Sequence, residues 1–133
     1  MFSGLTMQAL KKGLDAAALR HRVIANNIAN ANTPGFKKSA VEFESLFKEA
    51  LGRNPVGMAV THPRHMGKAP LLSELQPVEK INNATSMRTD GNNVDIDEEM
   101  VNLAANDIHY QAMARELSER YALLSYVITG GRR

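Results

Sequence analysis

Ala25-Asn26-Asn27-Ile28-Ala29-Asn30-Ala31-Asn32-Thr33-Pro34-Gly35-Phe36-Lys37-Lys38 is the stretch around which the rest of the chain is arranged. Pro34 has no backbone N–H and clashes with a continuing helix, so a helix arriving from the N-terminal side must stop before it. Proline also drives the preceding Thr33 toward an extended conformation. Pro34-Gly35 suits the central positions of a type II turn, where glycine supplies the positive φ. Asn26, Asn27, Asn30 and Asn32 crowd the last turns before it. Asparagine is a mediocre helix-interior residue and a good terminator, and each carboxamide brings two donors and an acceptor. A plain helix stop explains Pro34 and Gly35 but not so many amides. The stretch is therefore expected to form a rigid corner dense in hydrogen-bonding groups.

Upstream of the corner, Leu5 to Ala31 reads as one helix. Met7, Leu10, Leu14, Ala17, His21, Ile24, Ile28 and Ala31 recur at alternating steps of three and four, a heptad seam with coiled-coil spacing. A helix of this length spans about 40 Å at 1.5 Å per residue. Gly13 weakens it by roughly 1 kcal/mol relative to alanine, while Ala16, Ala17 and Ala18 leave room for a close neighbour. Leu19 and Val23 flank the seam, so a second covered surface is expected beside it.

Downstream, Val41 to Leu51 reads as a short amphipathic helix carrying Phe43, Leu46, Phe47 and Leu51, ended by Gly52-Arg53-Asn54-Pro55. Gly57 to Asn93 is punctuated by proline and glycine and has no clear period, leaving room for a short strand or two, or for disorder in the free chain. Asp95 or Asp97 then offers an N-cap, followed by acidic residues that suit a helix N-terminus. The second long helix runs to about Ile128, with Ile96, Met100, Leu103, Asp107, Tyr110, Ala114, Leu117, Tyr121, Leu124 and Ile128 as its seam, and Gly130-Gly131 ends it. The expected fold is mainly α, with two long terminal heptad helices, a short helix and an irregular middle. The divisions are residues 1–38, 39–94 and 95–133.

Composition narrows the function. The chain has 133 residues, 5% aromatics and no tryptophan, so little bulky apolar material is available for a self-sufficient core. Stability drawn from neighbouring subunits is the expectation. A net charge of +2 is too small to argue for nucleic acid. The absence of cysteine removes disulfides, thiol catalysis and thiolate metal sites. The N-terminus shows no Sec-type signal pattern, and no run approaches a transmembrane span.

Local motifs for chemistry are weak. His62-Pro63-Arg64-His65 lacks a third ligand nearby, and solvated loop histidines explain it better than a metal. Asp90-Gly91-Asn92-Asn93-Val94-Asp95 hints at a calcium loop, but Val94 and Asp95 stand where an oxygen ligand and glycine are needed. A turn feeding a helix N-cap is the simpler reading. Arg20-His21-Arg22 and Lys37-Lys38 are short and fall on different faces. No nucleophile, base and orienting group are joined in one motif, so no enzyme and no cofactor are expected.

Ala25–Lys38 resembles the N-terminal signature of the bacterial flagellar basal-body rod and hook proteins. Asp90–Met100 resembles the C-terminal signature of the short rod subunits, and the ending Val127-Ile128-Thr129-Gly130-Gly131-Arg132 is most similar to the B-type proximal group. The resemblance implies a structural subunit of a helical tube, with export by the flagellar type III apparatus and no cleaved signal. It places the chain in the periplasmic rod, among its own copies and other rod subunits, near the membrane ring and the ring-to-rod adaptor. It also implies that the terminal helices lie together, which makes them antiparallel. Pairing the polar seam residues His21 and Asp107 then sets Ala17 against Tyr110, Leu14 against Ala114, Leu10 against Leu117, Met7 against Tyr121, Ile24 against Leu103 and Ile28 against Met100.

The expected assembly interface comprises the seam residues Leu10, Leu14, Ala17, His21, Ile24, Ile28, Met100, Leu103, Asp107, Tyr110, Leu117, Tyr121 and Leu124, with Asn26, Asn27, Asn30, Asn32, Thr33, Pro34, Gly35 and Phe36 of the corner. The terminal segments, Met1–Lys38 and Asp95–Arg133, are expected to fray in the free chain and to become helical on assembly. The alternative is a small cytoplasmic coiled-coil adaptor or chaperone that binds one partner helix.

Overall fold

The computed structural model describes residues 4–52, 72–84 and 88–130. Helix α1 (Gly4–Ala29) is followed by strand β1 (Ser39–Glu42), helix α2 (Glu44–Gly52), strand β2 (Val78–Ile81) and helix α3 (Ile96–Ile128). Helix α1 ends where the proline rule requires. Its last turn tightens, with Ala31 N donating to Ile28 O at 3.2 Å and Thr33 N to Asn30 O at 2.9 Å. The type II turn follows. Phe36 N donates to Thr33 O at 3.3 Å, and Gly35 takes φ +73°.

The segment after the corner departs from the expected helix over Val41–Leu51. Val41 and Glu42 belong to β1, which pairs antiparallel with β2 in the register Ser39↔Ile81 to Glu42↔Val78. The reason is a period of two: Ser39 and Val41 are buried, while Ala40 and Glu42 are exposed. Helix α2 starts only at Glu44. Burial raises the pKa of its carboxyl, but the backbone N–H at the helix start and the Arg20 guanidinium outweigh that and hold it below its ordinary value. The expected short strands in the irregular middle are realised in part by β2. His62, His65 and the Met58-Ala59-Val60 patch lie outside the described residues.

Helix α1 is covered on two sides. Ala16 and Val23 pack with Val41, Phe43 and Leu75 in a small core, and Leu19, Leu46, Phe47 and Ala50 close its edge. The Phe43 and Phe47 rings stack with centroids 5.1 Å apart. Leu19 and Val23, which flank the heptad seam, thus do face a second surface. Helix α3 lies antiparallel along the other side, the arrangement expected for the terminal pair. Gly13 permits close approach there, since a Cβ at that position would meet Met113 Sδ at 2.7 Å. The loss of helix propensity at Gly13 is the cost of that contact.

Asp95, rather than Asp97, caps α3. Its φ of −103° and ψ of 115° are extended, and its carboxylate accepts from the N–H groups of Asp97 and Glu98. Asp97, Glu98 and Glu99 occupy the first turn, where negative charge complements the helix dipole. Replacing Asp95 with alanine is expected to cost about 1 kcal/mol of helix stability, and Asp95→Asn much less. The urea midpoint of the far-ultraviolet helix signal measures both, and equal midpoints for the two variants would contradict the cap.

Candidate functional site

Among the corner amides, Asn27 reaches Ser39 and the first turn of α3, while Asn30 bonds to Asn26 and Thr33. Asn27 is fully buried although it lies within α1. Its Nδ2 donates to Ser39 O at 2.8 Å and to Glu99 Oε2 at 3.0 Å, and its Oδ1 accepts from Ser39 N at 2.9 Å. One carboxamide thus holds both backbone groups of the first β1 residue and the first turn of α3. Its poor helix propensity is offset by bonds made outside the helix.

Asn92 does the complementary work from the other side. Its Nδ2 donates to the carbonyls of Asn30, Ala31 and Thr33 at 2.9, 3.0 and 2.9 Å, and its Oδ1 accepts from Val94 N at 2.8 Å. Carbonyls at the end of a helix have no partners inside it, so Asn92 acts as a C-terminal cap for α1. Arg88 donates to Ala31 O at 3.1 Å, and Gly35 N donates to Asp90 O at 2.8 Å. Lys38 N donates to Asn93 Oδ1 at 2.7 Å, while the Lys38 ammonium pairs with Glu98 at 3.0 Å. Lys37 Nζ donates to Gly91 O at 2.9 Å. The corner at 25–38 and the segment at 88–99 therefore form one polar joint.

The Asn92 backbone N–H, together with Arg88, lowers the Asp90 pKa below its ordinary value against an opposing effect of burial. A carboxyl depressed on folding contributes stability above its unfolded pKa, and that stability is lost as pH falls through the folded pKa. Asp90→Asn is expected to flatten part of the acid side of the helix signal. An unchanged acid limb would show that this carboxylate does not couple to folding.

The joint was only half visible in the sequence. Asn27, Asn30 and Gly35 of the expected interface are in it. Asn30 donates to Asn26 O at 2.9 Å and Asn26 Oδ1 at 3.0 Å, and accepts from the Thr33 hydroxyl. The side chains of Asn32, Thr33 and Pro34 are exposed, and Phe36 is half-buried. Ser39, Arg88, Asn92, Asn93 and Glu99 were missed. The available signal was a second cluster of asparagines at 92–93 facing the same problem of unspent amides.

The helix pair keeps the expected register but not the expected stripe on α3. His21 Nδ1 lies 3.3 Å from Asp107 Oδ1, as the pairing required. Both side chains are about half exposed, 52% and 50%, so the contact sits at the edge of the seam and contributes little. The α3 residues buried under α1 are Glu99 and Asn106, with Leu103, Met113, Ala114 and Leu117 partly covered. Met100, Tyr110 and Tyr121 are exposed, Met100 by 58%, and Leu124 stands just outside cover. The stripe is rotated because polar residues hold it: Glu99 meets Asn27, and Asn106 Nδ2 donates to Ala17 O at 3.0 Å. Asn106 Oδ1 is buried with no hydrogen-bond partner among the described residues. On α1, Ala17 and Ile24 are buried and Leu10, Leu14 and Ile28 are partly so.

Asn27→Ala removes three hydrogen bonds and leaves Glu99 buried beside an apolar methyl. The cost is about 1–3 kcal/mol for each buried group left unsatisfied. The variant is expected to lose its helix signal at a lower urea concentration than the unsubstituted chain. An unchanged midpoint would make the corner an ordinary helix stop.

Residues 7–37, which hold most of α1 and of the corner, match the family described as "Flagella basal body rod protein". A relative from Bacillus subtilis strain 168, named flagellar basal body rod protein FlgB, is 37% identical over 99% of this chain and 98% of its own length. Proteins of the same name from Borreliella burgdorferi and Escherichia coli K12 are each 32% identical, over 86% and 91% of this chain and 89% and 91% of their own. The similarity thus spans both halves of the joint and both long helices, and the chain belongs to the flagellar basal body rod protein family, in its FlgB group.

Proposed function

We propose that this chain is a structural subunit of the flagellar basal-body rod, packing helically with its own copies and with other rod subunits so that torque passes from motor to hook. The observation that carries the reading is the outer side of α3. Val101, Ile108, Leu123 and Tyr126 are exposed on a helix whose other side already packs on α1. Isolated apolar residues on a surface need no explanation, but a helix apolar along two sides calls for further neighbours. The remainder of the assembly interface falls on the exposed corner residues Asn26, Asn32, Thr33 and Pro34.

A drive shaft needs torsional stiffness, and closely packed helices supply it because dense interiors are hardly compressible. The polar joint supports the same role by fixing the angle between α1, the corner and α3. A place at the base of the rod, beside the membrane ring and the ring-to-rod adaptor, and passage through the type III export apparatus belong to this reading. No helix among the described residues is long and apolar enough to cross a membrane. The adaptor or chaperone alternative has no observation in its favour.

Residues 1–38, 39–94 and 95–133 form one structural domain on assembly in this proposal. The buried core among the described residues is small, and the long helices draw most of their stability from neighbours. Amide exchange tests this. Residues 10–28 and 96–128 should fray and exchange faster in the free chain than in isolated rods. Strong protection of Leu10–Ile28 in the free chain at micromolar concentration would overturn folding on assembly. Cells lacking the chain should build no complete rod and should not swim; normal swimming would overturn the rod reading itself.

A further inference from the structure

The last two turns of α3 differ from the rest of it. Tyr121, Leu123, Leu124, Tyr126, Val127 and Ile128 are all accessible, Ile128 by 82%. At 3.6 residues per turn they cover most of the circumference, leaving the side that carries Ala122 and Ser125. A helix end apolar over most of its circumference belongs inside a larger structure. Counting back from the Gly13–Met113 contact, α1 reaches its first described residue near Ala122, so the described residues of α1 do not cover the tip of α3. These six side chains leave on the order of 600–700 Å² uncovered, close to the roughly 800 Å² that one partner gives to a stable interface.

The same chain carries a largely apolar groove, which the Arg20–Glu44 ion pair also lines. It holds about 520 Å³ and is lined by Leu10, Gly13 and Ala16 of α1, by Phe47 of α2, and by His109 and Met113 of α3. The chain's own tip cannot enter it. His109 and Val127 lie on one continuous helix, roughly 27 Å apart along the axis.

We infer that the apolar tip of α3 from one copy of this chain seats in the α1–α2–α3 groove of the next copy. This inference rests on the rod-subunit reading above and adds which surfaces meet. Tip and groove are different surfaces, so the contact is heterologous. Repeated from copy to copy, it generates a ring or an open helix rather than a closed two-fold dimer. That is the symmetry a helical rod requires. It also gives the tip a function that the α1–α3 pair does not use.

The chain has no cysteine, so introduced pairs report cleanly. Cells are made to produce a tagged His109→Cys chain together with an untagged Val127→Cys chain in place of the unsubstituted one. After mild oxidation, their isolated basal bodies should contain a tagged–untagged dimer that joins the two sites. A chain carrying both substitutions should give a ladder of linked copies, because a disulfide needs Cα atoms within about 7 Å and cannot form between these positions inside one helix. If either substitution abolishes motility, Thr6→Cys at the groove mouth and Leu124→Cys on the tip give the same test. Motile cells whose basal bodies yield no cross-site product, or only same-site dimers, overturn the tip-in-groove contact and leave the rod reading standing. Cells that swim normally without the chain overturn both.

Discussion

A buried asparagine inside a helix must find partners outside it, and the rest of this structure follows from where Asn27 finds them. Its carboxamide takes both backbone groups of Ser39 and one oxygen of Glu99. Those bonds fix the start of β1 against α1 and the start of α3 against both. Satisfying a buried polar group is worth more as a constraint than as net energy. The net gain per bond is about 1 kcal/mol, whereas a misplaced element would leave donors and acceptors unpaired at higher cost. Alternative angles at the corner are therefore penalised more than the observed one is rewarded.

Asn92 completes the constraint from the opposite direction. By capping three carbonyls at the end of α1, it brings the segment before α3 against the turn at Pro34-Gly35. The two stretches that carry the family resemblance are thus the two halves of one joint. Asp95, three residues beyond Asn92, then starts α3 in a direction already set, and the helix runs back along α1 until only its tip projects beyond the described residues of α1. Apolar contacts at Gly13–Met113 and the exposed His21–Asp107 pair follow the register more than they impose it.

The distribution of apolar surface fits a part made for assembly. The described core is small and lies on one side of α1, around Val23, Val41, Phe43 and Leu75. The larger apolar area lies outside, on the far side and tip of α3. A monomer built this way leaves much of its stabilisation unrealised until neighbours arrive. In a shaft this is an advantage, since the contacts that make the subunit rigid are the contacts that join it to the next one.

The sequence alone determined the parts governed by backbone chemistry and by periodicity. Pro34 and Gly35 dictated the stop and the turn, Asp95 or Asp97 the neighbourhood in which α3 starts, and the alternating steps of three and four the two long helices. The antiparallel arrangement came from the family resemblance, and one polar residue on each seam then gave the register a fixed point. Tertiary structure decided which side of α3 faces α1. A rule that ranks residues by hydrophobicity puts Met100 inside and Glu99 outside. The structure reverses them, because Glu99 and Asn106 reach hydrogen-bond partners on α1 that no local pattern reveals. It likewise decided that Val41 and Glu42 form a strand, since β1 exists only through pairing with β2, more than thirty residues away in sequence. Local geometry was legible wherever a residue's own backbone preference set it. What depended on a distant partner was not.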